Sequence, residues 1–130
     1  MKVWKILIDI TEEESNEIQN LFSEEEGNAI REIDERGEIF SFDDWETGTH
    51  YFICAEDVVN FVSDLCYKYD MNFGYIDVTE EFLMGIHEIP DEDFIHYRES
   101  HLNEDIVYAK LKKFGARSLT DLDKNVLTNC

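Results

Sequence analysis

The chain has 130 residues, 43% hydrophobic and 13% aromatic, with 31 Asp and Glu against 11 Lys and Arg, a formal charge of −20 at pH 7. That apolar and aromatic content excludes a solvating acidic coil and fits one folded domain with a core of its own. The charge argues against direct contact with DNA, RNA or an anionic membrane, and for attraction to basic partners.

Trp4, Ile6, Ile8 and Ile10 alternate with Lys5, Leu7 and Asp9, which predicts a first strand over 3–10. Thr11 with Glu14 makes a capping box, and Ile18, Leu21 and Phe22 supply the stripe of a first helix. Gly27 predicts an interruption, and Ala29, Ile30 and Ile33 a short further helical segment ending at Gly37. Strands over 38–43 and 49–54 flank a hairpin loop, Asp44-Trp45-Glu46-Thr47-Gly48. From Ala55 the period becomes helical: Val58, Phe61, Val62, Leu65, Cys66 and Tyr69 fall on one side, and Glu56, Asp57, Asn60 and Asp64 on the other. A fourth strand follows over 72–78, with Thr79 a candidate cap.

The order β-α-β-β-α-β is that of split-βαβ, ferredoxin-like domains. The expected class is therefore α+β, with an antiparallel sheet, helices on one face and a C-terminal helical appendage. In the appendage Pro90-Asp91-Glu92-Asp93 opens a helix through Leu102. Asn103-Glu104-Asp105 opens another through Phe114, closed by Gly115, and Ser118 or Thr120 starts a short last one. The division expected is a single acidic domain over 1–130, with sheet and packing helices over 1–78 and the helical extension over 79–130.

Cys54, Cys66 and Cys130 lack metal or disulfide spacing, so Cys54 and Cys66 are expected in the core. The opening MKVWKILIDI turns acidic at Asp9 before a signal-peptide core could form, and no apolar run reaches membrane-span length. Cys130 is too close to the end for prenylation. A cytoplasmic location with reduced thiols is the expectation.

Residues 86–106 carry His87, His96 and His101 among seven carboxylates. Glu92 and His96 share a helix face, but His101 is turned about 140° from His96. Two converging ligands do not make a zinc or iron site. The run Asp121-Leu122-Asp123-Lys124-Asn125-Val126 begins like a calcium loop, yet has Val126 where glycine is needed and lacks the twelfth residue. No nucleophile elbow or phosphate-binding glycine loop is present, and His50 and Cys54 on one strand are separated by more than ~10 Å. No catalytic residue, metal ligand or cofactor is assigned.

Acid clusters remain. Those at Glu12–Glu14, Asp91–Asp93 and Glu104–Asp105 open predicted helices and suit the positive end of the helix dipole. Glu24, Glu25 and Glu26, and Asp43, Asp44 and Glu46 around Trp45, are not explained that way, and Trp45 is either an interface anchor with an acidic rim or a side chain folded onto the core. The sign is also uneven, since residues 1–106 hold 29 acids and 6 bases, and residues 107–130 hold 2 acids and 5 bases. The candidate partner-binding residues are Glu24, Glu25, Glu26, Asp43, Asp44, Trp45, Glu46, Asp91, Glu92 and Asp93.

The function expected is a non-enzymatic inhibitor that presents carboxylates to the basic nucleic-acid-binding surface of a nuclease or defence complex. By analogy of composition, phage anti-defence proteins such as CRISPR or restriction inhibitors, and immunity proteins against nuclease toxins, use the same charge logic. The alternatives are an adaptor subunit, or homodimer, docking through the Val107, Leu111 and Phe114 stripe beside Lys110, Lys112 and Lys113, and a small metal-dependent enzyme using His87, His96 and His101.

Overall fold

The computed structural model describes residues 1–128; Cys130, on which the prenylation argument rests, lies outside them. The chain divides into two compact units, Met1–Val78 and the remainder from Thr79.

The first unit is built on strands β1 (Lys2–Ile8), β2 (Ile39–Asp44), β3 (Thr49–Cys54) and β4 (Phe73–Asp77), in sheet order β2-β3-β1-β4. Every neighbouring pair is antiparallel. Three helices accompany them: α1 (Glu12–Asn20), α2 (Glu24–Glu35) and α3 (Glu56–Lys68). The unit is α+β, as the alternating and helical periods predict. Trp4 lies opposite Phe52, and Ile6 opposite His50 and Tyr75. Side chains alternate along a strand, so these share one face with Cys54 and Phe73. Trp4, Ile6, Cys54 and Phe73 join Met71 and, from α3, Val59 and Cys66 in the core. The Trp4 indole N–H donates to the Cys54 carbonyl at 3.0 Å, which satisfies the polar edge of a buried ring. Cys54 and Cys66 are free and buried, and burial pushes both thiols up to about 11.

Two local expectations change. In α3 Leu65 and Cys66 are buried as the stripe predicts, but Val59 and Ser63 are buried beside them, whereas Phe61 is 38% exposed. The inward face includes a serine, which an apolar pattern passes over. Gly27 does not interrupt a helix but lies inside α2, whose N-cap is Ser23. The Ser23 hydroxyl accepts from the Glu26 N–H at 3.1 Å, and the Glu26 carboxylate accepts from the Ser23 N–H at 2.9 Å. This reciprocal pair offsets the helix cost of glycine. The helix ends at Gly37, whose φ of +67° lets Glu38 N–H reach back to the Ile33 carbonyl.

The second unit is helical: α4 (Thr79–Leu83), α5 (Glu92–His101), α6 (Glu104–Phe114) and α7 (Asp121–Thr128), with a 3-10 turn at Ala116–Ser118. Thr79 is the first residue of α4 rather than a cap. Asp91 caps α5, Asn103 caps α6 and Gly115 ends α6. The Phe82 ring meets those of Phe94 and Tyr97 at 6.1 and 6.3 Å. The α6 stripe is turned inward at Val107, which is fully buried, while Phe114 is exposed. Lys110 is not a surface base as expected: it is buried and pairs with Asp123 of α7, which is itself fully buried, at 2.7 Å. Among the described residues no helix is long and apolar enough to cross a membrane.

Candidate functional site

The helix pair α1–α2 is the most acidic part of the chain. From Glu12 to Glu35 there are ten acids and one base, Arg31. None of the nine residues of α1 and none of the twelve of α2 is buried. Capping accounts for a share of the acids. Glu14 accepts from the N–H and hydroxyl of Thr11, and Glu26 closes the Ser23 box. Glu32 lies 3.7 Å from Arg36 on the surface, a spacing that contributes little in water. Glu12, Glu13, Glu17, Glu24, Glu25, Asp34 and Glu35 remain exposed.

The ten residues singled out in the sequence divide by what the fold already asks of them. Glu24–Glu26 are the first turn of α2, so the helix dipole does account for them, contrary to the sequence reading. The signal was present as Ser23-x-x-Glu26, and the glycine beside it obscured it. Glu26 is further engaged: its carboxylate accepts from Lys68 at 2.7 Å and from the Tyr69 hydroxyl. The Lys68 ammonium, the Tyr69 hydroxyl and the Ser23 backbone together lower its pKa from 4.5 to about 2. Glu24 and Glu25 are exposed.

At the hairpin, Asp44 Oδ1 accepts from the backbone N–H groups of Glu46 and Thr47, at 3.1 and 3.3 Å, and closes the turn. Asp43 pairs with the ring Nδ1 of His50 at 2.8 Å, its opposite residue on β3. His50 is 2% exposed, and the Trp45 ring folds back against it at 4.5 Å between centroids. Trp45 is thus half-buried against His50. Glu46 is exposed. In the second unit Asp91 caps α5 through the N–H groups of Asp93 and Phe94, leaving Glu92 and Asp93 in solvent.

Beneath α1 and α2 lies an apolar cleft of about 570 Å³, walled by Ile18 and Ile30 on the helices, by Phe22 in their connection, and by Ile6, Phe52 and Phe73 on the sheet. The Asp43–His50 pair lies on its wall, as do Gln19, Arg31 and Asp34. A carboxylate beside a ring Nδ1 is the arrangement that orients a histidine base. Among the described residues no hydroxyl or thiol is hydrogen-bonded to His50. Cys66 lines the same cleft with its thiol held at about 11, which leaves it a poor nucleophile near neutral pH.

The histidine-rich stretch does not converge. His96 is exposed on α5, and His101 stacks on Tyr97 at 4.0 Å with Nδ1 2.9 Å from the Tyr97 carbonyl. His87 lies in the α4–α5 connection. Among the described residues no three His, Cys, Asp or Glu side chains are placed to hold a metal ion. Asp123, the third position of the calcium-like run, faces the Lys110 ammonium instead.

The chain matches no family model, no curated protein and no solved structure.

Proposed function

We propose that this protein is a non-enzymatic, cytoplasmic inhibitor that occupies the basic nucleic-acid-binding surface of a nuclease or defence complex, with α1 and α2 as its principal contact. One observation carries the reading: a helix pair with ten acids, one base and no buried side chain. Helical rise spaces Glu13 from Glu17 by about 6 Å and Glu32 from Glu35 by about 4.5 Å, close to one turn each. Rows of carboxylates at that spacing suit a Lys/Arg groove made for phosphates. Glu46, at the tip of the β2–β3 hairpin, extends the same sign. The ferredoxin-like, split-βαβ assignment of the first unit belongs to the same proposal, supported by the placing of β1 between β3 and β4.

The test is affinity capture from a bacterial lysate, at low and high salt, with and without duplex DNA. A basic nucleic-acid-binding protein that salt and DNA both release is the expected catch. Reversing Glu13, Glu17, Glu24 and Glu25 to Lys then weakens that complex by about tenfold or more, and reversing the exposed Lys112 and Lys113 to Glu changes it by less than about twofold. Equal effects of the two reversals, or a partner held through high salt, sink the proposal. The adaptor or homodimer reading rests on Tyr108 and Phe114, the large apolar side chains that α6 leaves exposed. It expects a complex that salt does not release.

A further inference from the structure

The second unit has an open cavity of about 520 Å³ between the α4–α5 connection, α5, α6 and the start of α7. That volume falls within the roughly 300–1,000 Å³ of small-molecule sites. Two of its wall residues are cations, Arg98 and Lys110, and Lys110 is only 7% exposed.

The hydrogen bonds of these two groups are few for their capacity. The Arg98 Nε–H donates to the Leu83 carbonyl at 3.2 Å, which fixes the guanidinium. Its Nη2 stands 3.8 Å from Asp123 Oδ1, beyond hydrogen-bond reach. Gly85, at φ +86°, admits this placement, because a Cβ there would meet Arg98 Nη2 at 3.1 Å. Lys110 Nζ donates to Asp123 Oδ2 at 2.7 Å, and the Thr120 N–H donates to the same oxygen at 2.8 Å. Asp123 Oδ1 accepts no hydrogen bond among the described residues. An ammonium has three donors and a guanidinium five. Among the described residues, each donates one hydrogen bond.

Beside the buried carboxylate of Asp123 the wall thus carries two cations, Arg98 and Lys110, each with donor capacity beyond the one hydrogen bond it makes. Excess charge away from bulk water is costly unless it is matched and hydrogen-bonded. One negative charge matches it. The guanidinium offers a planar, two-pronged donor suited to a carboxylate. Glu88 and Glu99 also line the cavity, both exposed, and they oppose a second negative charge on an occupant. His87 stands on the same wall. Apart from Thr120 the other side chains on the wall are apolar, Phe82, Ile89, Ile95 and Leu122 among them.

We propose that this cavity binds a small organic monocarboxylate, its carboxylate held by Arg98 and Lys110 and its apolar body by Phe82, Ile89 and Leu122. The site does not depend on the acidic helix pair of the first unit.

The experiment titrates the isotope-labelled full chain with hexanoate, followed by amide and Arg98 Nε–H NMR shifts. Hexanamide, with the same body and no charge, and inorganic phosphate serve as comparisons. Saturable shifts centred on Gly85, Ile89 and Arg98 are expected with hexanoate below about 20 mM, at least about tenfold weaker with hexanamide and with phosphate. Ile95→Glu puts a carboxylate at an exposed position on the cavity wall and is expected to keep the fold while weakening hexanoate at least about tenfold; Arg98→Gln does the same if it folds. No saturable shift from hexanoate overturns the proposal. So does equal binding of hexanamide, which would make the cavity merely apolar, or of phosphate, which would make it a general anion site. Unchanged affinity in folded Ile95→Glu also overturns it.

Discussion

Two side chains show how differently a charge is used in this chain. Glu26 sits at the surface end of α2, where Lys68, Tyr69 and the Ser23 backbone hold its carboxyl at about 2, below its ordinary 4.5. A depressed carboxyl stabilises the fold above its unfolded pKa, and that contribution disappears as pH falls through the folded one. The stabilisation is thus complete above about pH 4.5 and is lost between there and pH 2. Glu26→Gln should lower the urea midpoint at pH 7 and flatten its fall over that acid window; parallel curves for the two proteins would contradict the assignment. Lys110 is the opposite case, a buried cation on a fully buried carboxylate. Removing it leaves Asp123 charged and short of a partner, so Lys110→Met should cost about 3 kcal/mol. Lys112→Met, at an exposed neighbour, should stay within about 0.5 kcal/mol in the same urea titration.

Among the elements, α2 gives the clearest test of what holds a helix with no fully buried residue. Gly27 lies in its interior, and a Cβ there would meet nothing within 4 Å. Gly27→Ala should therefore stabilise the protein by about 0.5–1 kcal/mol, read from chemical denaturation. A loss of stability would mean that α2 is strained there. The same glycine marks a limit of the sequence as a guide. The strands and α5 and α6 were legible, because alternation, Asp91, Asn103 and Gly115 are local signals. Gly27 read as a break because its propensity is local, whereas the capping box that overrides it spans Ser23 and Glu26. Phe61 is exposed and Val59, outside the expected stripe, is buried for a different reason. Which edge of an apolar helix face turns inward is decided by the surface it meets, and no spacing within α3 contains that surface.

Across the whole molecule a charge of −20 outweighs any single pair. Like charges at this density oppose the compact state, and salt screens them over about 10 Å at 0.1 M. Thermal stability should rise as NaCl goes from about 0.01 to 0.5 M, before any partner is added; a flat or falling melting temperature would show that local pairs such as Lys68–Glu26 outweigh the general repulsion. Charge was legible in composition, but its placement was not. Of the ten residues picked from the sequence, Glu26, Asp43, Asp44 and Asp91 spend their carboxylates on caps, turns and His50, because short acids beside turns serve the backbone first. The Lys110–Asp123 pair was equally invisible, since thirteen residues of sequence separate two groups that look like ordinary surface charge.

The absence of buried side chains from α1 and α2 has an evolutionary consequence. Substitutions at exposed positions usually shift stability by no more than about 0.5 kcal/mol. Glu12, Glu13, Glu17, Glu24, Glu25 and Glu35 can accordingly be exchanged, added to or moved along the helices with little risk to folding. If this pair meets a basic groove, its lineage can follow a target that rearranges its lysines and arginines, changing specificity one residue at a time while the sheet beneath stays as it is.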